Sequence, residues 1–212
     1  MQKILPAILL FLSSWIPSCT ATAPPATPQV VNVYSTFAAE PWLSELYECA
    51  GTAAVLSRLD DPAAAEIALR VGEPELLASP AYQIDSEEIL VVTHRQSPVQ
   101  NLTLEQARAL FTGRGAPSMQ VWVYAPGEDV QEVFDRVVLE GAGIMPEARL
   151  APHPQQMSDT LVNEPNTVGI LPRHWKAGDS SEVFSVATVP VLAVTPEEPQ
   201  GTIKNLIACL QK

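Results

Sequence analysis

The side chains able to do chemistry fall into two sets. His94, His153 and His174 are scattered, beside Arg95, between prolines and beside Trp175, and none has the His-x-x-x-His spacing that places two imidazoles on one helix face for a metal. They are expected to be solvated or turn histidines. No Gly-x-Ser-x-Gly elbow, P-loop or glycine-rich dinucleotide turn occurs, so neither catalysis nor a cofactor or metal is expected. Asn101-Leu102-Thr103 matches a glycosylation sequon, a three-residue pattern that arises easily by chance. The second set comprises hydroxyls, carboxylates and amides at the junctions of regular elements: Ser35-Thr36, Tyr82, Pro126-Gly127-Glu128-Asp129, and Gln155-Gln156 with Ser158. Such groups either cap helices or hold the oxygen and nitrogen atoms of a ligand, and both readings stand at this point.

The elements that would position these groups alternate between strand and helix, the pattern of parallel sheets with crossover helices. Ile89-Leu90-Val91-Val92-Thr93 is a short apolar, β-branched run suited to a strand covered on both faces. Ser97-Pro98 interrupts it. Thr103-Leu104-Glu105-Gln106 then forms a capping box, and a helix with Leu104, Ala107, Leu110 and Phe111 on one face stops at Gly113. Further strands are expected over 30–34, 53–56, 66–71, 120–124, 151–153, 168–171 and 186–194. Helices are expected from Pro41-Trp42 to Gly51, over 129–139 and 156–162, and after Pro199-Gln200-Gly201. Asp129 with Glu132 reads as a second capping box.

The stretch Asn101-Leu102-Thr103-Leu104-Glu105-Gln106 with Leu110-Phe111-Thr112-Gly113, preceded by the apolar strand, resembles the phosphate-binding proteins of bacterial ABC importers and, more broadly, the type II periplasmic binding-protein superfamily. That resemblance implies an α/β fold of two lobes, each a mostly parallel sheet flanked by helices, joined by two crossover strands. Residues 30–93 with 177–212 would form lobe one and 94–176 lobe two, with ligand gripped in the cleft between them. The polar junctions then become four corners of that cleft, where strand ends and helix starts leave amides unpaired. The ligand-binding candidates are Ser35, Thr36, Tyr82, Gly127, Glu128, Asp129, Gln155 and Ser158.

One corner departs from the family. Phosphate binders place an upstream Arg and a Ser-Gly-Thr where this chain has Ala125-Pro126-Gly127-Glu128-Asp129, and two carboxylates there would repel phosphate. Lobe one likewise has Ala65-Glu66-Ile67-Ala68-Leu69-Arg70 in place of a short Ala-Asp-Ile segment followed by small residues. Phosphate is therefore not the expected solute, and a neutral or cationic one fits better.

The N-terminus reads as an export signal. Lys3, the apolar run over 4–12 and Ile16-Pro17-Ser18-Cys19 resemble a lipoprotein signal peptide over 1–18, which implies that Cys19 is diacylated; an ordinary cleaved secretory signal is the alternative, and both export the protein. The apolar run is shorter than the roughly 20 residues a membrane span needs. Residues 19–29, rich in Pro, Ala and Thr, form a tether. Hydrophobic residues at 47% and charged residues at 17% support a core after that tether, and the formal charge of −12 argues against nucleic-acid partners. With Cys19 lipidated, Cys49 and Cys209 remain in an oxidising compartment, either as a disulfide or as two buried thiols. The resemblance places the first and last helices in one lobe and favours the disulfide. The expectation is a monomeric, lipid-anchored solute-binding protein on the outer face of the cell membrane, partnered by an ABC permease. The alternative is a binding-protein scaffold serving as an envelope sensor or interaction module without transport.

Overall fold

The computed structural model describes residues 28–115 and 118–211. The signal peptide 1–18, Cys19 and the tether as far as residue 27 lie outside the described residues. The chain runs through β1 (Gln29–Ser35), α1 (Glu40–Ala50), β2 (Ala54–Arg58), β3 (Ile67–Val71), β4 (Ala81–His94), α2 (Leu104–Phe111), β5 (Gln120–Val123), α3 (Asp129–Phe134), β6 (Arg149–Leu150), α4 (Pro154–Asn163), β7 (Thr167–Pro172), β8 (Ser180–Val194) and α5 (Gly201–Leu210).

The strands form one eight-stranded sheet in the order β2-β1-β3-β8-β4-β7-β5-β6. At one end β1 pairs in parallel with β2 and β3, and at the other β5 pairs in parallel with β6 and β7. The long strands β4 and β8 run antiparallel to each other through the middle and connect the ends: β8 pairs with β3 from Val191 to Val194, β4 with β7 from Ile89 to Thr93. Each lobe is thus parallel except where a crossover strand enters it. One hydrophobic core follows the sheet through both lobes, from Val31, Trp42, Leu46 and Leu69 to Phe111, Phe134, Met157 and Ile170.

Both crossover strands extend well beyond their apolar stretches. β4 has 14 residues and β8 has 15, whereas only 89–93 and 186–194 carry a clear apolar signal. Their polar halves are held by the long β4–β8 ladder, whose three register shifts, at Gln83/Asp85, Ile89/Leu90 and Val91/Val92, break the two-residue alternation a sequence reading relies on. β2 begins one residue later than expected and runs to Arg58. The short strand near 151 is instead Arg149–Leu150, because Pro152 and Pro154 leave His153 as the cap of α4. The capping box of α2 forms as read, with Thr103 accepting from the Gln106 amide and the Gln106 side chain accepting from the Thr103 amide.

Lobe one is stapled covalently. Cys49 near the end of α1 and Cys209 near the end of α5 form a disulfide with Cα atoms 6.0 Å apart, closing a sequence separation of 160 residues. In lobe two, α4 lies so close to β7 that a Cβ at Gly169 would fall 2.4 Å from Met157 Sδ, so any larger residue there would force the Met157 side chain to move. No helix among the described residues is long and apolar enough to cross a membrane.

Candidate functional site

The seam between the lobes is built from the chain segments that leave β1, β3 and β5. β1 ends at Ser35 and turns at Thr36. β3 ends at Val71 and is followed by Gly72, which adopts φ +77° and lies so near α3 that an added Cβ would meet Val133 Cγ2 at 2.8 Å. β5 leads through Gly127, at φ +92°, into α3. Lobe one therefore meets lobe two with backbone against side chain and no room between.

Asp129 sits at the centre of this seam. Its side chain is almost fully buried, with only 3% exposure. Thr36 Oγ1 donates to Asp129 Oδ2 at 2.6 Å, the Val71 amide donates to the same oxygen at 2.8 Å, and the Val130 amide donates to Oδ1 at 2.9 Å. Two of these donors belong to lobe one, so the carboxylate bridges the lobes. Asp129 and Glu132 form no capping box: Glu128 is the N-cap residue and makes no side-chain capping bond, Asp129 is turned across the seam, and Glu132 is drawn away by Arg70. Arg70 donates to Gly72 O at 3.0 Å and pairs with Glu132 at 2.8 Å, so the cation nearest the seat is already committed.

Electrostatics follow from that burial. Desolvation raises the Asp129 carboxyl above its ordinary range, against the opposing pull of the Thr36 and Val71 hydrogen bonds, Arg70 and the Val130 amide. Glu128 is raised as well, first by burial and then by the charge of Asp129. Burial, Glu128 and Asp129 together raise Tyr34, and the same three influences push the fully enclosed Tyr124 well above the ordinary phenol range, burial first. Tyr124 hydroxyl has no hydrogen-bond partner among the described residues. It borders a cavity of about 10 Å³ that Ala38, Glu128, Asp129, Val130 and Pro154 also line, space for roughly one water and nothing larger.

Outside this closed point the seam widens. A groove of about 490 Å³ is bordered by Tyr34, Thr36 and Arg70 of lobe one, by Gly127 and Asp129 of lobe two, and by the loop carrying the exposed Leu76 and Leu77. On the opposite flank a shallower depression of about 390 Å³ lies between Phe37, His153, Gln155 and Trp175. Trp175 Nε1 there donates to Ala38 O at 3.1 Å, a second tie between the lobes.

Of the residues singled out from the sequence, Thr36, Gly127 and Asp129 meet in the large groove, and Glu128 lies on the adjoining depression with Tyr34 and Ser35. Ser35 hydroxyl turns back to the Thr36 carbonyl. Gln155 is exposed on the other flank and donates to Asp159, while Ser158 is buried and accepts from the Ala177 amide. Tyr82 lies within the β4–β8 ladder opposite Ala193. His153 accepts from the Gln156 amide as the cap of α4; His94 is buried and accepts from the Gln96 amide; His174 lies 2.6 Å from the buried Glu87. His153 and the exposed His174, in the turn after β7, agree with solvated or turn histidines, whereas His94 is buried, a tertiary effect. Tyr34, Arg70 and Leu76 were not marked in advance. The only sequence signal for Arg70 is a charge placed inside an otherwise apolar strand.

No protein-family profile matches this chain, and no curated protein matches it. Solved structures do. A phosphate ABC transporter substrate-binding protein from Clostridium perfringens with bound phosphate aligns with a TM-score of 0.74 at 16% identity, over 86% of this chain and 93% of that one. An ABC-type phosphate transport receptor from Vibrio cholerae gives 0.64 at 13% identity over 86% and 93%. The regulatory domain of MetR, a LysR family regulator from N. meningitidis, gives 0.64 at 14% identity over the same shares. Transport receptors and a LysR family regulator are thus alike to this chain in backbone, and what they share is architecture. With its two parallel half-sheets joined by a pair of long antiparallel strands, the chain has a type II periplasmic-binding-protein-like fold.

Proposed function

We propose that this chain is an exported solute-binding module that holds a small solute in the groove between its lobes. The observation that carries this reading is the groove of about 490 Å³ bordered by Tyr34, Thr36 and Arg70 on one side and by Gly127 and Asp129 on the other. Its volume lies in the range of small-molecule sites, roughly 300–1,000 Å³, and its lining combines apolar surface with a few convergent polar groups. An occupant would touch both lobes only while they are closed, so binding would favour closure through that difference in contact. Its neighbours among transport receptors support the reading at the level of the fold. In this proposal Cys19 carries the lipid that tethers the module outside the cell membrane, an ABC permease receives the solute, and the module works as a monomer without catalysis.

The test is a thermal-shift screen of a solute library. At least one neutral or cationic solute is expected to raise Tm saturably, and Ala63→Trp, which places bulk on the groove wall, is expected to abolish the rise. A rise untouched by Ala63→Trp would move the site elsewhere. A second reading, a scaffold that senses or docks without transport, is favoured by the lobes already being tied together through Asp129 and Trp175. It would be supported by a library without a single saturable shift.

A further inference from the structure

Thr36 hydroxyl, the Val71 amide and the Val130 amide converge on the buried Asp129 carboxylate in the seam, the first two donating to Oδ2 and the third to Oδ1. Hydrogen-bond donors gathered in a dry enclosure are the means by which a protein holds an oxyanion. Here the atoms at their focus belong to the chain itself. We infer that the Asp129 carboxylate is a built-in substitute for an oxyanion ligand: it occupies the seat between the lobes, satisfies the donors of lobe one, and thereby excludes small oxyanions from the protein.

Three further observations agree. Of the two spaces that Asp129 borders, the one shared with Tyr124, Glu128 and Val130 is about 10 Å³, too small for a second anion, and the other is the open groove of about 490 Å³. Arg70, the guanidinium nearest the seat among the described residues, is already engaged by Glu132 and the Gly72 carbonyl, which weakens its pull on an incoming anion. Gly72 abuts Val133 without room for a Cβ, so the lobes are in direct contact beside the seat. This deepens the solute-binding reading by naming the ligand class that the seam refuses. It is tested separately, because an unresponsive solute library counts against solute capture while the experiment below concerns Asp129 alone.

The experiment is chemical rescue on the full chain. In Asp129→Ala the side-chain carboxylate is removed and its donors remain, so formate, the smallest free carboxylate, and inorganic phosphate are the probes. The wild-type Tm is expected to stay unmoved by either anion at millimolar concentration. Tm of D129A is expected to start lower and to rise saturably by about 3 to 6 °C at an anion concentration ten times Kd. The double variant Thr36→Val with Asp129→Ala should lose most of that rise, which locates the anion at the lobe-one donor and not on the general surface. Should D129A not accumulate as folded protein, Asp129→Ser, which keeps a single acceptor in the seat, carries the same comparison. Failure of the single variant to respond to either anion, a wild type that responds equally, or a double variant that keeps the whole rise would each overturn the inference.

Discussion

Two buried carboxylates hold the lobes, one at the seam and one at the crossover, and they do so differently. Besides the adjacent Val130 amide, Asp129 draws its donors from residues 93 and 58 positions away, Thr36 and Val71, and those two bonds exist only while the lobes are together. Glu87, on β4 with 1% exposure, accepts from the neighbouring Glu88 amide, from the Arg173 amide at 3.0 Å, and lies 2.6 Å from His174 Nδ1. Those partners sit on β4 itself and on the turn that follows β7, which β4 already pairs with. His174 in turn packs against Trp42 of α1, ring centroids 4.7 Å apart, and Trp42 Nε1 reaches Asp85 at 2.9 Å. Glu87 therefore fixes a joint whose geometry the sheet dictates anyway, whereas Asp129 closes a gap that the sheet leaves free. A carboxylate of the first kind belongs to folding; one of the second kind sets what the seam can accept.

The largest effect should come from a change that touches neither carboxylate. Reduction of Cys49–Cys209 releases a staple across 160 residues and should destabilise the protein by about 2 to 5 kcal/mol, read as a lower denaturation midpoint with and without reductant. Lobe one should loosen first, so exchange of α1 and α5 amides should speed up more than exchange in α4; uniform acceleration would mean the lobes do not unfold separately. Next, Glu87→Ala strands the Arg173 and Glu88 amides together with His174 and should cost about 2 to 4 kcal/mol. Solution scattering should show no change in radius of gyration for the folded variant. A folded E87A that opens would erase the contrast between joint and seam.

At the seam, Asp129→Asn keeps shape but cannot accept at both positions, since one amide nitrogen must face a donor; a loss of about 1 to 2 kcal/mol is expected, with a measurable gain in radius of gyration. The pH dependence has a definite sign. Burial raises Asp129 above its unfolded value, so the folded state holds the extra proton between the unfolded and folded values. Its contribution is fully present below the unfolded value and is lost as pH rises through the folded one. The Tm difference, wild type minus D129N, should therefore grow as pH falls from 7 toward 4; Glu128 is raised by burial in both proteins and additionally by the Asp129 charge in the wild type, which acts in the same direction. A difference that shrinks toward acid would mean that the Thr36, Val71 and Val130 bonds outweigh burial.

Legibility followed the range of the interaction. The α2 capping box is closed between residues three apart, and β7, buried along its whole length, announces itself as an apolar run. The first halves of β4 and β8 could not be read, because their polar residues are strand only by virtue of each other, and three register shifts destroy the alternation. The helix expected over 129–139 is present, but it passes into a π turn over Asp135–Leu139, and nothing local specifies that widening. At the site, the pair Glu128-Asp129 stood out as a departure from phosphate binders. Its meaning lay in Thr36 and Val71, which no spacing rule connects to it. Arg70 escaped notice for the same reason: its partner Glu132 is distant in sequence and was assigned to a cap.

The smallest expected effect tests whether Arg70 belongs with the seam or merely beside it. Its pair with Glu132 is partly solvated, with side-chain exposures of 22% and 39%, and such pairs contribute about 0 to 1 kcal/mol because water screens the charges and both side chains lose rotamer freedom. Arg70 also lowers the Asp129 carboxyl through its charge, though less than the Thr36 and Val71 hydrogen bonds do. Arg70→Met should consequently leave stability at pH 7 nearly unchanged, yet shift the acid-side rise in the difference between wild type and D129N to higher pH when both are measured in the R70M background. A loss above about 2 kcal/mol would instead mark Arg70 as a structural strut, comparable to Glu87, and the seam would then rest on an ion pair as well as on its buried carboxylate.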